Sequence, residues 1–308
     1  MVEVRQLTRY YGSFCALEDV SFSLHEGETV GLLGLNGAGK STALKMLAGL
    51  LTPSKGSVQI NGHDATAASE KLKATIGFLP ENVPLYNEMT VHEFLRHAGR
   101  LKGMTAAAIE ARLPRVVEIA DLLGREDQVI ETLSYGYRKR VGIALAVIHD
   151  PKLVILDEPI SGLDPVQIVE MRKVIRNLAK GRAVILSSHI LGEISQTCDR
   201  ILVVHQGRLV AQGTEQELLP DQGLRLQIVL RGDGPTIEGF LSEHAGVEGF
   251  ELSDEREGIL TAKLTLASDT RETLVADLVG AGIGVRGVEE AEDELEAIFI
   301  QLTQQEAA

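Results

Sequence analysis

The stretch Gly34-Leu35-Asn36-Gly37-Ala38-Gly39-Lys40-Ser41 decides how the first part of this sequence is interpreted. It matches the pattern G-x-x-x-x-G-K-[ST], whose glycines allow backbone N–H groups to turn inward around phosphate oxygens. Residues 28–34 read as a buried strand, and residues 41–50 have the pattern of a helix. Because a phosphate-binding loop of this kind lies between a strand and a helix, the sequence predicts a nucleotide site here.

The residues of this loop have distinct expected roles. Lys40 supplies a positive charge for the β- and γ-phosphates, and Ser41 offers a hydroxyl to Mg²⁺. The N-terminus of the following helix adds its positive end to the same site. The nucleotide-binding set predicted around the loop is Gly34, Asn36, Gly37, Ala38, Gly39, Lys40, Ser41 and Thr42.

Two further apolar runs, residues 152–157 and 183–188, are typical of strands covered on both faces. With the helical patterns between them they predict an α/β domain of the P-loop NTPase class, in which residues 88–150 form a helical subdomain. Asp157 ends the first run and is an expected ligand of Mg²⁺. Its neighbour Glu158 is expected to polarise a water molecule in line with the γ-phosphate.

The distribution of charge divides the 308 residues into two predicted domains, 1–220 and 221–308. The first range contains 25 acidic and 24 basic residues, and the second contains 19 acidic and 6 basic ones. An acidic surface repels phosphate backbones, so nucleic acid is not an expected partner.

The strand and helix patterns of residues 221–308 predict a small α+β domain of ferredoxin-like kind. The boundary is expected at residues 219–223, and a final helix carries Leu295, Ile298, Phe299 and Leu302 on one face.

Three general features favour a cytoplasmic protein. No window approaches 18 uninterrupted apolar residues, so no membrane-spanning helix is predicted. The first residues alternate like a strand and lack the apolar segment of a signal peptide. Cys15 and Cys198 are too few for a disulfide framework or a zinc site, and two reduced thiols are expected.

Three more short motifs follow the loop in a definite order. Residues 133–140 read Leu-Ser-Tyr-Gly-Tyr-Arg-Lys-Arg, residues 161–164 read Ser-Gly-Leu-Asp, and His189 follows the last apolar run. With the loop and the Asp157–Glu158 pair, this ordered set resembles the ATP-binding cassette (ABC) family over residues 2–220. The resemblance depends on the joint spacing, since each short piece alone would be a weak match. It implies an ATPase that binds ATP and Mg²⁺.

The resemblance also implies roles for residues outside the loop. Ser134 and Gly136 would face the γ-phosphate bound by the other subunit of a dimer, and Asp164 would join the nucleotide-binding set. His189 would contact the γ-phosphate and the surroundings of the catalytic water. The implied catalytic residues are therefore Glu158 and His189.

The adenine platform and one metal contact are assigned by the same resemblance. Tyr11 is the implied aromatic platform for adenine, with Tyr10 as the alternative. Either residue could instead be a tyrosine at the end of a strand that binds no ligand. Glu81 stands where the family usually has a glutamine that approaches the Mg²⁺. A glutamate can still reach the metal, and it would bring a full negative charge.

The motif of residues 133–137 departs from the commonest family pattern, Leu-Ser-Gly-Gly-Gln. Tyr135 replaces a glycine and Tyr137 replaces the glutamine. Ser134 and Gly136, the residues that face phosphate, are retained, so we expect the function of the motif to be retained. Leu35 replaces a frequent proline at a position that contributes only its backbone.

Residues 78–86 and 89–95 look like those of the subgroup that serves ABC-2-type exporters, especially the gliding-motility and multidrug-export ATPases. This implies a head-to-tail dimer of two such chains, working with a separate ABC-2-type permease at the cytoplasmic face of the plasma membrane. Two alternatives stay open, a soluble ABC-class ATPase unconnected with transport and a nucleotide-dependent regulator. The regulator has to explain why Glu158 and His189 are both present.

Overall fold

The computed structural model describes residues 2–64, 74–218, 224–253 and 258–290. The chain folds as two compact units, residues 1–215 and 216–308. The boundary expected at residues 219–223 lies outside the described residues, as does the predicted final helix. Within the described ranges, none of the helices is long and apolar enough to cross a bilayer.

The first unit begins with an antiparallel sheet. Its strands are β1 (Val2–Tyr11), β2 (Phe14–Leu24), β4 (Lys55–Ile60) and β5 (His63–Asp64), which lie in the order β2-β1-β4-β5. Val4 and Leu24 of this sheet belong to the same buried cluster as Leu44 and Ile155, which lie on other elements of the unit. The antiparallel sheet is therefore part of the main core.

A second, largely parallel sheet positions the chemically active residues. Its strands are β3 (Thr29–Leu33), β6 (Ile76–Leu79), β7 (Leu153–Leu156), β8 (Ala183–Ser188), β9 (Arg200–His205) and β10 (Arg208–Gly213). They lie in the order β10-β9-β3-β8-β7-β6, with β10 antiparallel to β9. Every residue of β3, β7 and β8 is buried, as expected for strands covered on both faces.

Most of the helices of the first unit lie between these strands, and the last one follows β10. The helices are α1 (Lys40–Leu47), α2 (Val91–Leu101), α3 (Ala106–Ile119), α4 (Tyr135–Val147), α5 (Pro165–Leu178), α6 (Leu191–Ser195) and α7 (Glu215–Leu218), with a 3₁₀ turn at Ile130–Thr132. Helix α2 begins at Val91, where Thr90 and Glu93 form a reciprocal cap. The helical pattern of residues 138–149 predicts a helix that begins near Arg138, and this prediction was wrong: Ser134 caps α4 with its hydroxyl, so the helix begins at Tyr135.

The second unit is a small sheet covered by two helices. In chain order its elements are β11 (Leu224–Arg231), α8 (Gly234–Glu243), β12 (Val247–Leu252), β13 (Ile259–Leu266), α9 (Arg271–Gly280) and β14 (Gly284–Glu290). The strands pair antiparallel in the order β12-β13-β11-β14, the arrangement of ferredoxin-like β-α-β-β-α-β units. Leu226 and Ile228 of the sheet form one core with Ile237 and Leu274 of the helices.

Candidate active site

The carboxyl ends of β3, β7 and β8 bring three separate parts of the sequence to one edge of the parallel sheet. These strands are adjacent and parallel, in the order β3-β8-β7. The loop of residues 34–39 follows β3, the Asp157–Glu158 pair follows β7, and His189 follows β8. Ligands of open α/β sheets bind at such an edge, so these groups form the candidate active site.

The backbone of the loop takes a course that requires glycine. Gly37 and Gly39 have φ of +86° and +107°, in the left-handed region that side chains disfavour. A Cβ atom on Gly39 would lie 2.7 Å from the Ala16 carbonyl oxygen, and one on Gly34 would lie 2.5 Å from that of Val204. The loop therefore depends on bare backbone at Gly34 and Gly39, the kind of backbone that lets N–H groups approach an anion.

Lys40 is the cation of this loop and is only 6% exposed. Its Nζ donates hydrogen bonds to the carbonyl oxygens of Gly34 at 2.6 Å and Leu35 at 3.3 Å. The same Nζ lies 3.5 Å from Oε1 of Glu158. A buried ammonium thus lies at the start of α1, where the helix N-terminus also favours negative charge.

Asp157 receives two hydroxyl groups on one carboxylate oxygen. Ser41 donates to its Oδ1 at 3.2 Å, and Ser187 donates to the same atom at 2.7 Å. Hydroxyl and carboxylate oxygens are the donors that Mg²⁺ prefers, and Mg²⁺ is usually held by one or two carboxylates together with substrate phosphates. In the part of the chain that the structure describes, no group of three or more His, Cys, Asp or Glu residues could hold a metal. The Ser41 hydroxyl and the Asp157 carboxylate fit a Mg²⁺ whose coordination would be completed by phosphates.

Glu158 lies between the loop and His189. Its Oε2 is 3.1 Å from Nδ1 of His189, and its Oε1 faces Lys40. Its backbone has φ of +48°, an uncommon conformation for a residue other than glycine. The side chain is nearly buried, whereas His189 is 39% exposed. The carboxylate is thus held against a half-exposed imidazole at the edge of the cleft.

Lys40, Ser41, Glu158 and His189 line a cleft of about 400 Å³. Its walls are formed by Tyr11, Phe14, Ala16, Leu35, Asn36, Gly37, Gly39, Lys40, Ser41, Thr42, Glu81, Glu158, Ser161 and His189. Glu81 enters the cleft from the segment that follows β6, and it is exposed. The structure thus brings Glu81 to the same cleft as Ser41 and Glu158, although these residues are far apart in the sequence.

Two aromatic rings lie at the open side of the cleft. Tyr11 and Phe14 face each other across the turn between β1 and β2, and they are 48% and 65% exposed. The Arg9 guanidinium lies over the Tyr11 ring, 4.9 Å from its centroid. Tyr10 lines a different cavity, so of the two tyrosines considered it is Tyr11 that reaches the cleft.

Six of the predicted residues are not among those that line the cleft, and one of them, Asp157, is joined to the cleft through the hydroxyl of the lining residue Ser41. Gly34 and Ala38 supply backbone carbonyls, the first to Lys40 and the second to the N–H of Gly207 at 2.9 Å. Ser134 and Asp164 cap the N-termini of α4 and α5. Gly136 is buried, and a Cβ there would meet the side chain of Gln167 at 2.7 Å.

Sequence reasoning missed several residues at the site, among them Phe14, Ser187 and Lys139. Phe14 is not in the predicted site, although an aromatic residue across a tight turn from Tyr11 was a usable signal. Ser187 was taken as part of a buried strand, and its polar side chain near the end of an apolar run was the signal. Lys139 donates a 2.6 Å hydrogen bond to the carbonyl oxygen of Glu158, and no sequence pattern pointed to it.

Comparison with known proteins identifies the family. Residues 17–161 match the family model described as ABC transporter. Over 308 residues the chain is 32% identical to a linearmycin resistance ATP-binding protein of Bacillus subtilis (strain 168), covering 98% of both proteins. It is 34% identical over 310 residues to Nod factor export ATP-binding protein I of Cupriavidus pinatubonensis (strain JMP 134 / LMG 1197), covering 99% of this chain and 91% of that protein.

A solved structure gives the same result for the fold. The ATP-binding subunit of an ABC transporter is similar with a TM-score of 0.63 and 37% identity, over 71% of this chain and 91% of that one. This agreement confirms the family that the ordered motifs predicted, together with its P-loop fold. The chain belongs to the ABC transporter family and is one of its ATP-binding, ATP-hydrolysing subunits.

Proposed function

We propose that this chain hydrolyses ATP to drive an ABC-2-type exporter through a separate membrane permease, at the cytoplasmic face of the plasma membrane. The observation that carries the hydrolytic part is the contact of the Glu158 carboxylate with His189 and Lys40 beside the phosphate loop. The export part is supported by relatives that match this chain over almost its whole length and are named for Nod factor export and linearmycin resistance.

Nucleotide binding uses the loop and the aromatic rings. The N–H groups of residues 36–41 surround the phosphates, and Lys40 exchanges its bond to the Gly34 carbonyl for phosphate oxygens. Tyr11, with Phe14 beside it, offers an exposed ring for the adenine. Except for Ala38, residues 36–41 and both aromatic residues line the cleft.

Ser41 and Asp157 are the residues that would hold Mg²⁺, and the metal supplies positive charge that neutralises the phosphate oxygens during transfer. Ser187 keeps the Asp157 carboxylate oriented through its 2.7 Å bond. Glu81 lines the same cleft and adds a carboxylate that can reach this position. The chain thus contributes hard oxygen donors only, as Mg²⁺ requires.

Hydrolysis is an in-line displacement at the γ-phosphorus. A water oxygen bonds to phosphorus while the bond to the oxygen bridging the β- and γ-phosphates breaks, which yields ADP and phosphate. Glu158 orients this water and accepts its proton, and His189 holds the carboxylate at 3.1 Å and faces the γ-phosphate. Both groups are in place within one chain.

A complete site needs a second copy of the chain. Ser134, Gly136 and Asp164 are assigned to nucleotide binding but do not line the cleft of their own chain. In a head-to-tail homodimer, the Ser134 hydroxyl and the positive end of α4 would face the γ-phosphate held by the partner. Ser134 and Tyr135 are exposed, so this surface is accessible to another chain. We infer no nucleic-acid partner, because the excess charge of the protein is negative.

The hydrolytic proposal is tested with the purified full chain and two variants. Glu158→Gln should bind ATP normally, lower Mg²⁺-dependent turnover by about 10²–10³-fold, and accumulate as an ATP-bound dimer. Lys40→Ala should weaken ATP binding itself. Glu26→Gln, which changes an exposed glutamate away from the cleft, serves as the control. Wild-type turnover in Glu158→Gln would remove this residue from the mechanism.

The export proposal is tested by isolating the tagged full chain from detergent-solubilised membranes of its own cell. We expect an integral membrane protein to accompany it and to change its ATPase rate. The complex should be recovered in larger amounts with Glu158→Gln and ATP, because the closed dimer persists. If neither the wild-type chain nor Glu158→Gln is recovered together with a membrane protein, the role in transport is contradicted.

A further inference from the structure

Lys139 is a buried cation near the carboxyl end of β7, the strand that the Asp157–Glu158 pair follows. It lies in α4 and is only 2% exposed, and its Nζ donates a 2.6 Å hydrogen bond to the backbone carbonyl of Glu158. Lysine is almost never fully buried unless its charge has a partner. Burial lowers the pKa of this ammonium, while the negative charges of Glu158 and Glu81 act in the opposite direction.

The carbonyl that Lys139 holds belongs to a backbone in a rare conformation. Glu158 has φ of +48°, and such a conformation persists only where its surroundings hold it. The N–H of Glu158 donates to the Ser187 hydroxyl at 2.9 Å. Both backbone polar groups of Glu158 are therefore held by side chains of other elements, α4 and β8.

Tyr135 covers the ammonium of Lys139. Its ring centroid is 5.4 Å from Nζ, a cation–π distance. The ring also lies close to Gly162, where a Cβ atom would be 3.2 Å from the ring carbon Cε1. A side chain at residue 162 would thus crowd the ring, so Tyr135 and the bare backbone of Gly162 fit together.

We propose that Lys139 is a positioning residue that holds Glu158 in the conformation needed for hydrolysis, with Tyr135 as its aromatic cover. This proposal rests on the catalytic role proposed for Glu158. The hydrogen bond of Lys139 joins α4, the helix that Ser134 caps, to the backbone carbonyl of Glu158 in the same subunit. A shift at the start of α4 would therefore displace the Glu158 backbone through this hydrogen bond.

The test compares two changes at Lys139 in the full chain. Lys139→Met keeps the apolar stem but removes the donor and the charge, whereas Lys139→Gln keeps an N–H donor. We expect Lys139→Met to lower kcat about 10–100-fold with KM within about 3-fold of wild type, since the orientation of a catalytic group is lost and nucleotide contacts are kept. Lys139→Gln should keep kcat within about 3-fold of wild type, because the role proposed for Lys139 is to position Glu158 through an N–H donor. Lys173→Met, a change of an exposed lysine in α5, is the control.

Combination with Glu158→Gln separates this proposal from the function on which it rests. Lys139→Met should lower the rate of Glu158→Gln by less than about 2-fold, since residues that act as a unit are not additive. Wild-type turnover in Glu158→Gln refutes the catalytic role itself. A slow Glu158→Gln with a folded Lys139→Met of normal kcat refutes only the positioning role. If Lys139→Met does not fold, a loss of more than about 10-fold in Lys139→Gln overturns the proposal, because the donor is present there.

Discussion

Replacing Ser187 by alanine should lower both the stability and the metal response of this ATPase. Ser187 is fully buried, and its hydroxyl donates to Oδ1 of Asp157 at 2.7 Å and accepts the N–H of Glu158 at 2.9 Å. Alanine removes both bonds and leaves the N–H of Glu158 buried without its hydroxyl partner. Asp157 keeps the longer contact with Ser41.

The size of the effect follows from these two bonds. A hydrogen bond to a charged group contributes about 1.5–3 kcal/mol, and a buried donor left unsatisfied costs about 1–3 kcal/mol. Because Ser41 still serves the carboxylate, we expect the free energy of unfolding to fall by about 2–4 kcal/mol in total. Looser orientation of a metal ligand typically costs about 10–100-fold in metal affinity or activity.

Ser188→Ala is a matched control. Ser188 is also buried, donates to a carboxylate, that of Glu193, at 2.6 Å, and accepts the N–H of Ile190 at 3.0 Å. Urea unfolding should show similar losses of stability for the two variants, since they lose the same kinds of bond. Only Ser187→Ala should raise the Mg²⁺ concentration that gives half-maximal ATPase rate. Equal Mg²⁺ titrations of wild type and Ser187→Ala, or a stability loss below about 0.5 kcal/mol, would refute this reasoning.

Two further predictions concern other ionisable groups. Glu81→Gln should change the Mg²⁺ dependence of the ATPase, because it removes a carboxylate from the cleft, and superimposable titrations would show that its charge is not used. Burial lowers the pKa of His149 from 6.5 to about 4, so the unfolded chain takes up a proton that the folded chain does not. The stability associated with neutral His149 is complete above pH 6.5 and is lost as the pH falls towards 4. The urea midpoint of His149→Gln should fall less than that of wild type over this range, and equal falls would count against the assignment.

The sequence by itself determined the local parts of this protein. The conformation of Gly37 and Gly39 depends on the absence of their own side chains, so the loop and its phosphate chemistry can be recognised without knowledge of any neighbour. Continuous apolar runs predicted the buried strands β7 and β8, because strands covered on both faces need no polar side. The order of short motifs then indicated the family, which the relatives confirm.

Only the tertiary structure decided which distant residues meet. The adjacent parallel strands β7 and β8, and α4 near their ends, bring together Ser187, Lys139 and Glu158. Hydrophobic periodicity shows which face of an element is buried, but it does not show which neighbour that face meets. The structure likewise decided that Tyr11, and not Tyr10, reaches the cleft. Adjacent strand residues point to opposite faces, and Tyr11 pairs with Phe14 across the turn between β1 and β2. The rare backbone conformation of Glu158 has no sequence signal, because the side chains that bond to its N–H and carbonyl group lie on other elements.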